Sequence, residues 1–284
     1  MKKRNLAWLI VATLALAPLT SCEHLDLPDN QTPEQPSGQA NKECKDVMFV
    51  LKGIQVDYAT RATVQSEGMT DLWVYEGETL LKHQTSADSD FGTPTISLRY
   101  GSHDLTFVAS KAEGQTFASY WHCSKLSETY GTAMNVTVSS GSSSSRQVEL
   151  KRVNSKVQWT IEDVVPQTAA TADVLVSTHY GLDASLGGKD AINYFRSIDI
   201  SSRRGATNVV ISSLVLPSAY GEEDDCTATI TFKDDADQTI VSYTNTVKVL
   251  ANRVTNIHGS FFGTGGQHAV SLLNAWDEQN DVAL

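Results

Sequence analysis

From Asp46 onward, apolar and polar residues alternate with a period of two. Val47, Phe49 and Leu51 open the pattern, and Ile96, Leu98 and Tyr100 carry it on. Leu105, Phe107 and Ala109 follow, then Met134, Val136 and Val138. Successive side chains of a strand point to opposite faces, so this spacing predicts half-buried antiparallel strands. Leu72-Trp73-Val74-Tyr75, then Glu76-Gly77, then Thr79-Leu80-Leu81, reads as a hairpin. Gly101 breaks the run between two of the alternating segments.

Ser139 to Ser145 is a Ser/Gly stretch with nothing to bury, and it marks a boundary. Strand signals restart beyond it, at Val148/Leu150, Val157/Trp159/Ile161, Val174/Val176, Val209/Ile211 and Leu214/Leu216. Cys226/Ala228/Ile230/Phe232 leads to an acidic turn at Lys233–Gln238, and Ile240 to Leu250 returns from it. Val254, Ile257 and Phe261 come last, before a short C-terminal run with Val270, Leu272 and Trp276. Convincing amphipathic helix patterns are absent, and short polar stretches such as Leu126–Tyr130 fit single turns. Strands every 8–12 residues in two blocks predict an all-β chain of two sandwiches, residues 45–145 and 146–284.

The first 44 residues follow another pattern. Lys2, Lys3 and Arg4 precede an uncharged apolar run, Leu6 to Leu19. The run is shorter than the ~20 residues of a bilayer span and fits the apolar core of a signal peptide, residues 1–21. It ends in Leu19-Thr20-Ser21-Cys22, which resembles the lipobox of bacterial lipoproteins. That resemblance implies a diacylglyceryl thioether on Cys22, cleavage before it, and acylation of the new amine. Residues 22–44, with Pro28, Pro33 and Pro36, then form a lipidated tether. Its extended span from Glu23 to Asn41 is about 60 Å. Glu23 stands where inner-membrane lipoproteins carry Asp, which favours the outer membrane.

Composition narrows the function. The 284 residues carry 22 Lys and Arg against 33 Asp and Glu, a formal charge of −11. Losing residues 1–21 removes three cations and takes it to −14. An acidic chain offers no basic face for nucleic acid, and its hold on a membrane must come from lipid rather than charge.

Leu150 to Val157, Ala251 to Phe262 and Tyr100 to Ala109 carry a further resemblance. The chain resembles the fimbrillin-like lipoproteins of Bacteroidota, especially fimbrial anchor and accessory subunits. Three features carry it: an Arg-x-x-x-Lys strand at Arg152 and Lys156, the Asn252-Arg253-x-Thr255-x-x-x-Gly259-x-Phe261-Phe262 stretch, and the Tyr100–Ala109 hairpin. The resemblance implies two tandem transthyretin-like β-sandwiches, other fimbrial subunits as partners, and assembly by β-strand addition. It also implies trimming by an Arg-specific protease in stalk subunits. Arg61-Ala62 offers such a site, whose cleavage would release Val47–Val56; Arg61 also fits a plain loop, the commoner place for Arg in a polar stretch. Residues 271–284 read either as a donor segment or as the last strand of their own module.

No catalytic motif is present: there is no Gly-x-Ser-x-Gly elbow, His-Glu-x-x-His helix, Cys-x-x-Cys pair or phosphate loop, so no enzyme is expected. The seven His residues are scattered, and Asp88–Gly92 and Asp234–Asp237 lack the pattern of a calcium loop, so neither metal nor cofactor is expected beyond the lipid on Cys22. Cys44 and Cys123 can form a disulfide within the first module, while Cys226 fits a buried thiol or a pairing role. Tyr120-Trp121-His122 suits a sandwich core. It also suits a sugar face, which makes a surface glycan-binding lipoprotein, with host or glycan ligands, the second functional class.

Overall fold

A computed structural model of the chain describes residues 43–52, 69–111, 115–117, 121–123, 125–263 and 267–275. Signal peptide, Cys22, most of the tether, Arg61, Ala62 and the end of the tail lie outside the described residues. The first ten strands are β1 (Cys44–Lys52), β2 (Asp71–Glu76), β3 (Thr79–Thr85), β4 (Thr95–Arg99), β5 (Gly101–Ser110), β6 (Gln115–Phe117), β7 (Trp121–Cys123), β8 (Thr129–Val138), β9 (Ser145–Glu149) and β10 (Lys151–Arg152). Eight more follow: β11 (Ser155–Ile161), β12 (Ala169–Leu182), β13 (Gly188–Asp199), β14 (Val209–Val215), β15 (Asp224–Asp234), β16 (Thr239–Val249), β17 (Arg253–Gly259) and β18 (His268–Ala275). A single 3-10 turn at Ser201–Arg203 is the only helical element among the described residues, and no helix there is long and apolar enough to cross a membrane.

Four sheets make two sandwiches, and the fold is nearly all β as the alternation predicts. The first pairs β4-β1-β9 with β10-β8-β5-β2-β3. The second pairs β14-β11-β17-β18 with β16-β15-β12, where β13 lies on the other side of β12. The two repeat one plan. The opening strand, β1 or β11, sits centrally between an antiparallel neighbour (β4 or β14) and a parallel one (β9 or β17). The opposite sheets run β8-β5-β2-β3 and β16-β15-β12-β13 in matching order. Pairing across the sandwich gives each half its core. In the first, Phe49 meets Phe107 at 5.1 Å among Leu72, Val74 and Leu98. In the second, Trp159, Phe232 and Phe261 are fully buried.

The structure moves the boundary expected at residue 145. β9 extends the β1 sheet and β10 pairs with β8, so residues 145–152 serve the first sandwich. The apolar side chains of Val148 and Leu150 belong to its core, which the Ser-rich turn before them does not interrupt. Arg152 therefore closes the first unit rather than opening the second. Its guanidinium is buried, 4.8 Å above the Tyr130 ring and 3.3 Å from the Glu128 carboxylate. Residues 129 and 130, expected in a turn, begin β8 instead. β13 carries no clean alternation and is drawn into the sheet by β12.

The Asn252–Phe262 stretch is a set of folding devices. Asn252 takes a left-handed turn conformation at φ 58°, and its N–H donates to the Asn154 carbonyl at 2.8 Å. Gly259 sits at φ 142°, and a Cβ there would lie 2.2 Å from the Gln267 carbonyl oxygen, so only glycine fits. Beyond it Asp163 gathers four donors. Phe261 N–H reaches one oxygen at 3.0 Å, and Ser260 hydroxyl, Phe262 N–H and Gly263 N–H reach the other at 2.8, 2.7 and 3.1 Å. Burial alone would raise this carboxyl, but the backbone donors and the Ser260 hydroxyl outweigh it and hold it below the ordinary aspartate range.

Asp163→Ala is expected to cost about 2 kcal/mol in a urea melt, the scale of hydrogen bonds to a charged group. The carboxyl is depressed in the folded state, so its contribution is present above the unfolded aspartate value and is lost as pH falls through the folded one. Asp163→Asn should therefore show a shallower loss of stability on acidification below about pH 4 than the parent chain.

Candidate functional site

β1 is the strand on which the expected assembly chemistry would turn. It pairs with β4 along Cys44–Met48 and with β9 along Met48–Lys52. Both of its edges are therefore committed. Phe49 N–H donates to the Pro94 carbonyl at 2.9 Å, Leu51 N–H to Gly92 at 3.0 Å, and Met48 N–H to Ser144 at 2.8 Å. Val47, Phe49 and Leu51 face inward and are almost wholly buried. Each such side chain contributes about 2 kcal/mol on burial. Lys45 adds a clamp on the Ser-rich turn, donating from Nζ to the carbonyls of Ser140 and Ser142. Withdrawing β1 would bare a groove walled by β4 and β9 and floored by Phe107, with Ile96, Leu98 and Val148 along it.

The two sandwiches meet over a third apolar cluster. Trp73, Tyr75 and Val108 project from the outer face of β2 and β5, away from the first core. They are covered by Trp121 and Cys123 of β7, by Val153, and by Leu182, Leu186 and Leu216 of the second unit. Residues between β12 and β13 reach across to do this. The Thr106 hydroxyl donates to the Ala184 carbonyl at 2.7 Å, and a Cβ on Gly131 would lie 2.8 Å from Leu186. β7 pairs with β12 at Trp121–Leu182 and His122–Gly181, so a piece of the first half extends the second half's sheet. Asn154 completes the joint: its Oδ1 accepts Thr129 N–H at 2.5 Å while its carbonyl accepts Asn252 N–H.

This joint bears out Trp121 as core against the sugar-face alternative, and it corrects the expected disulfide. Trp121 is 2% exposed and meets Trp73 edge to face at 6.2 Å, so it offers no face to a sugar. The Cys44–Cys123 disulfide is not formed; Cys44, Cys123 and Cys226 are all thiols. β1 lies in the first sandwich's smaller sheet and β7 in the second sandwich's sheet, which separates the two sulfurs. Cys123 instead donates to the Tyr180 carbonyl at 3.3 Å, and Cys226 to Ser177 at 3.3 Å. Burial pushes the Cys123 thiol up to about 12 and the Cys226 thiol to about 11. Neither forms thiolate near neutrality. The tail divides: β18 pairs with β17 inside its own sandwich, and residues 276–284 lie outside the described residues.

A cleft of about 430 Å³ opens where β12 and β15 part, beside Ser177, His179, Asp224 and Cys226. Its groups are already engaged. His179 Nδ1 lies 2.9 Å from the Leu216 carbonyl. Burial would raise the Asp224 carboxyl, but Ser218 and Asp225 donors hold it low. Asp225 pairs with Lys248 at 2.7 Å. No nucleophile there stands beside a free base. Among the described residues no three His, Cys, Asp or Glu side chains gather where they could hold a metal ion. Asp88 and Asp234 instead brace turns, accepting Thr85 N–H at 2.6 Å and Ala236 and Gln238 N–H at 2.9 Å.

Two outcomes follow. Phe49→Ala should lower unfolding free energy by about 4 kcal/mol in a denaturant melt, the scale of a buried aromatic truncated to Ala. A chromogenic disulfide reagent at pH 8 should leave Cys123 and Cys226 unmodified in the native chain and titrate both after denaturation.

No protein-family model matches this chain, and comparison with curated proteins finds no relative. Solved structures do resemble it. A candidate adhesin from Bacteroides ovatus aligns at 9% identity and a TM-score of 0.49, over 76% of this chain and 88% of that one. A fimbrial anchor protein from Porphyromonas gingivalis aligns at 8% identity and 0.47, over 82% and 99%. A C-terminally truncated tip fimbrial protein of the same organism aligns at 15% identity and 0.43, over 80% and 99%. The structural neighbours of this two-sandwich chain are thus Bacteroidota adhesin-type proteins and Porphyromonas fimbrial anchor and tip proteins.

Proposed function

We propose that this chain is a surface lipoprotein of the outer membrane that serves as a fimbrial anchor or accessory subunit and supports adhesion. Cys22 carries the diacylglycerol and acyl chains, residues 23–43 are the tether, and the two sandwiches stand clear of the bilayer. Other subunits join by strand addition, and the slot that an extended donor would enter in a cleaved subunit is the one that β1 fills here.

The observation that carries this reading is the placement of β1. It is a central strand with both edges bonded and three large side chains in the core, so the first sandwich needs a strand in that slot. The residues that follow it, 53–68, contain Arg61-Ala62, where a protease cut would detach it. With that bond intact, β1 stays in its own groove and the chain remains joined to its lipid, as suits a base or accessory subunit. The lipobox and the order of the three family-like stretches support the same reading from the sequence side.

N-terminal analysis of the chain recovered from cells tests it. A blocked, acylated Cys22 is expected. A free Ala62 would show a chain matured by proteolysis and would sink the anchor role. Cys22→Ala should shift the protein from the membrane fraction to the soluble one; quantitative retention in the membrane would overturn lipid anchoring.

A further inference from the structure

We infer that the cleft where β12 and β15 part is a receptor for a primary ammonium group, that of a lysine side chain on a partner segment. Its volume of about 430 Å³ is in the range of small-ligand sites. The cleft is a break in the sheet. β12 pairs with β15 as far as Val176–Ala228 and with β7 only from Gly181. Between these two ladders Ser177 and His179 line the cleft, and Asn193 of β13 lies opposite Ser177. Val215, Leu216 and Val249 are buried and supply the apolar part of the lining.

The bonds that position the polar groups leave acceptors unused. A carbonyl cannot donate, so His179 Nδ1, 2.9 Å from the Leu216 oxygen, carries a proton, and Nε2 of the neutral ring is an acceptor. That nitrogen has no partner among the described residues. The ring is backed by Gly188, where a Cβ would lie 2.6 Å from its Cγ and Nδ1, so glycine makes the room for it. The Asp224 carboxylate offers about four acceptor positions, of which the Ser218 N–H, the Ser218 hydroxyl and the Asp225 N–H fill three. Burial would raise this carboxyl, but those donors hold it below the ordinary aspartate range, so it is charged at neutral pH. Among the described residues no Lys or Arg nitrogen stands at ion-pair distance from it, and nearby Lys248 is bonded to Asp225 at 2.7 Å. The Asn193 side chain is exposed and makes no hydrogen bond among the described residues.

A carboxylate without a cation selects a positively charged ligand. The acceptors select its kind. Each Asp224 oxygen already takes a backbone N–H, which ill suits the two-oxygen approach of a guanidinium. A lysine ammonium brings three donors, for Asp224, His179 Nε2 and the Asn193 amide oxygen, and its four-carbon stem can lie on the apolar lining. The adjoining surface favours a lysine within a polypeptide over a free amine. Leu175 and Phe195, 37% and 57% exposed, form the next cross-strand pair on the same face as Ser177 and Asn193, an apolar ledge for the residues that flank the lysine. The site belongs to the second sandwich and owes nothing to the β1 slot.

Ligand-observed NMR titration of the full chain in detergent, with Nα-acetyl-lysine methylamide as the probe, provides the test. Binding at about 1 mM is expected, and the norleucine and Nε-acetyl-lysine analogues, which keep the stem and lose the charge, should bind about tenfold more weakly. An acetylated Val-Lys-Val amide should bind about threefold tighter than the single residue, a gain that Phe195→Ser removes. Asp224→Asn should weaken lysine binding about tenfold. Asp224 also braces the turn at Ser218, so Asn193→Leu serves as a second variant, with a melt like the parent's and about threefold weaker binding. Absence of lysine binding overturns the proposal, as does norleucine binding equally well. So does an affinity left unchanged by both Asp224→Asn and Asn193→Leu in chains that melt like the parent. Glucosamine or the arginine analogue binding more tightly than the lysine peptide overturns the assignment to lysine.

Discussion

The outer face of the first sandwich cannot be left to water. Trp73, Tyr75 and Val108 stand on the side of β2 and β5 that points away from their own core, and together they form an apolar surface too large to solvate cheaply. The second unit covers it. Leu182, Leu186 and Leu216 are held there by strands whose other residues build the second core, so neither sandwich is free to swing about the joint. The buried Asn154 and the β7–β12 pairing follow from this contact, since chain brought together there must satisfy its backbone groups.

A welded pair of sandwiches has consequences for how force and partners act on the chain. The strand slot of the first unit and the exposed β13 of the second are fixed relative to each other by the shared cluster. β1 is held by main-chain bonds on both sides and by a clamp from Lys45, while among the described residues β13 pairs with β12 alone. The two halves repeat one strand order, yet they differ at these positions. In the first, the strand equivalent to β13 is β3, a shorter edge beside the Trp73–His83 stack at 5.1 Å.

Much of this was legible residue by residue. Val47/Phe49/Leu51, Val157/Trp159/Ile161 and Cys226/Ala228/Ile230/Phe232 alternate along the sequence and alternate in burial. The turn at Glu76-Gly77 lies where expected, with Gly77 at φ 56°. What escaped was whatever depends on a partner from the other half. Leu72-Trp73-Val74-Tyr75 has no polar member, and it is buried on both faces because the second sandwich packs on it. Trp121 and Cys123 sit in a three-residue strand beside β12, a pairing across nearly 60 positions that no local pattern announces. Asp163 gave no sign at all, because its donors lie about 100 residues away.

By itself the sequence determined the strand period, the all-β class and the division into two sandwiches, because side-chain alternation is a local consequence of extended backbone. It also carries the lipobox-like resemblance of the N-terminal segment, which is written in consecutive residues from Lys2 to Cys22. Only the tertiary structure decided where one sandwich ends, which thiols stay apart, and that Trp121 is core. These are settled by which apolar faces find each other. That choice minimises exposed area over the whole molecule, and no window of sequence contains it.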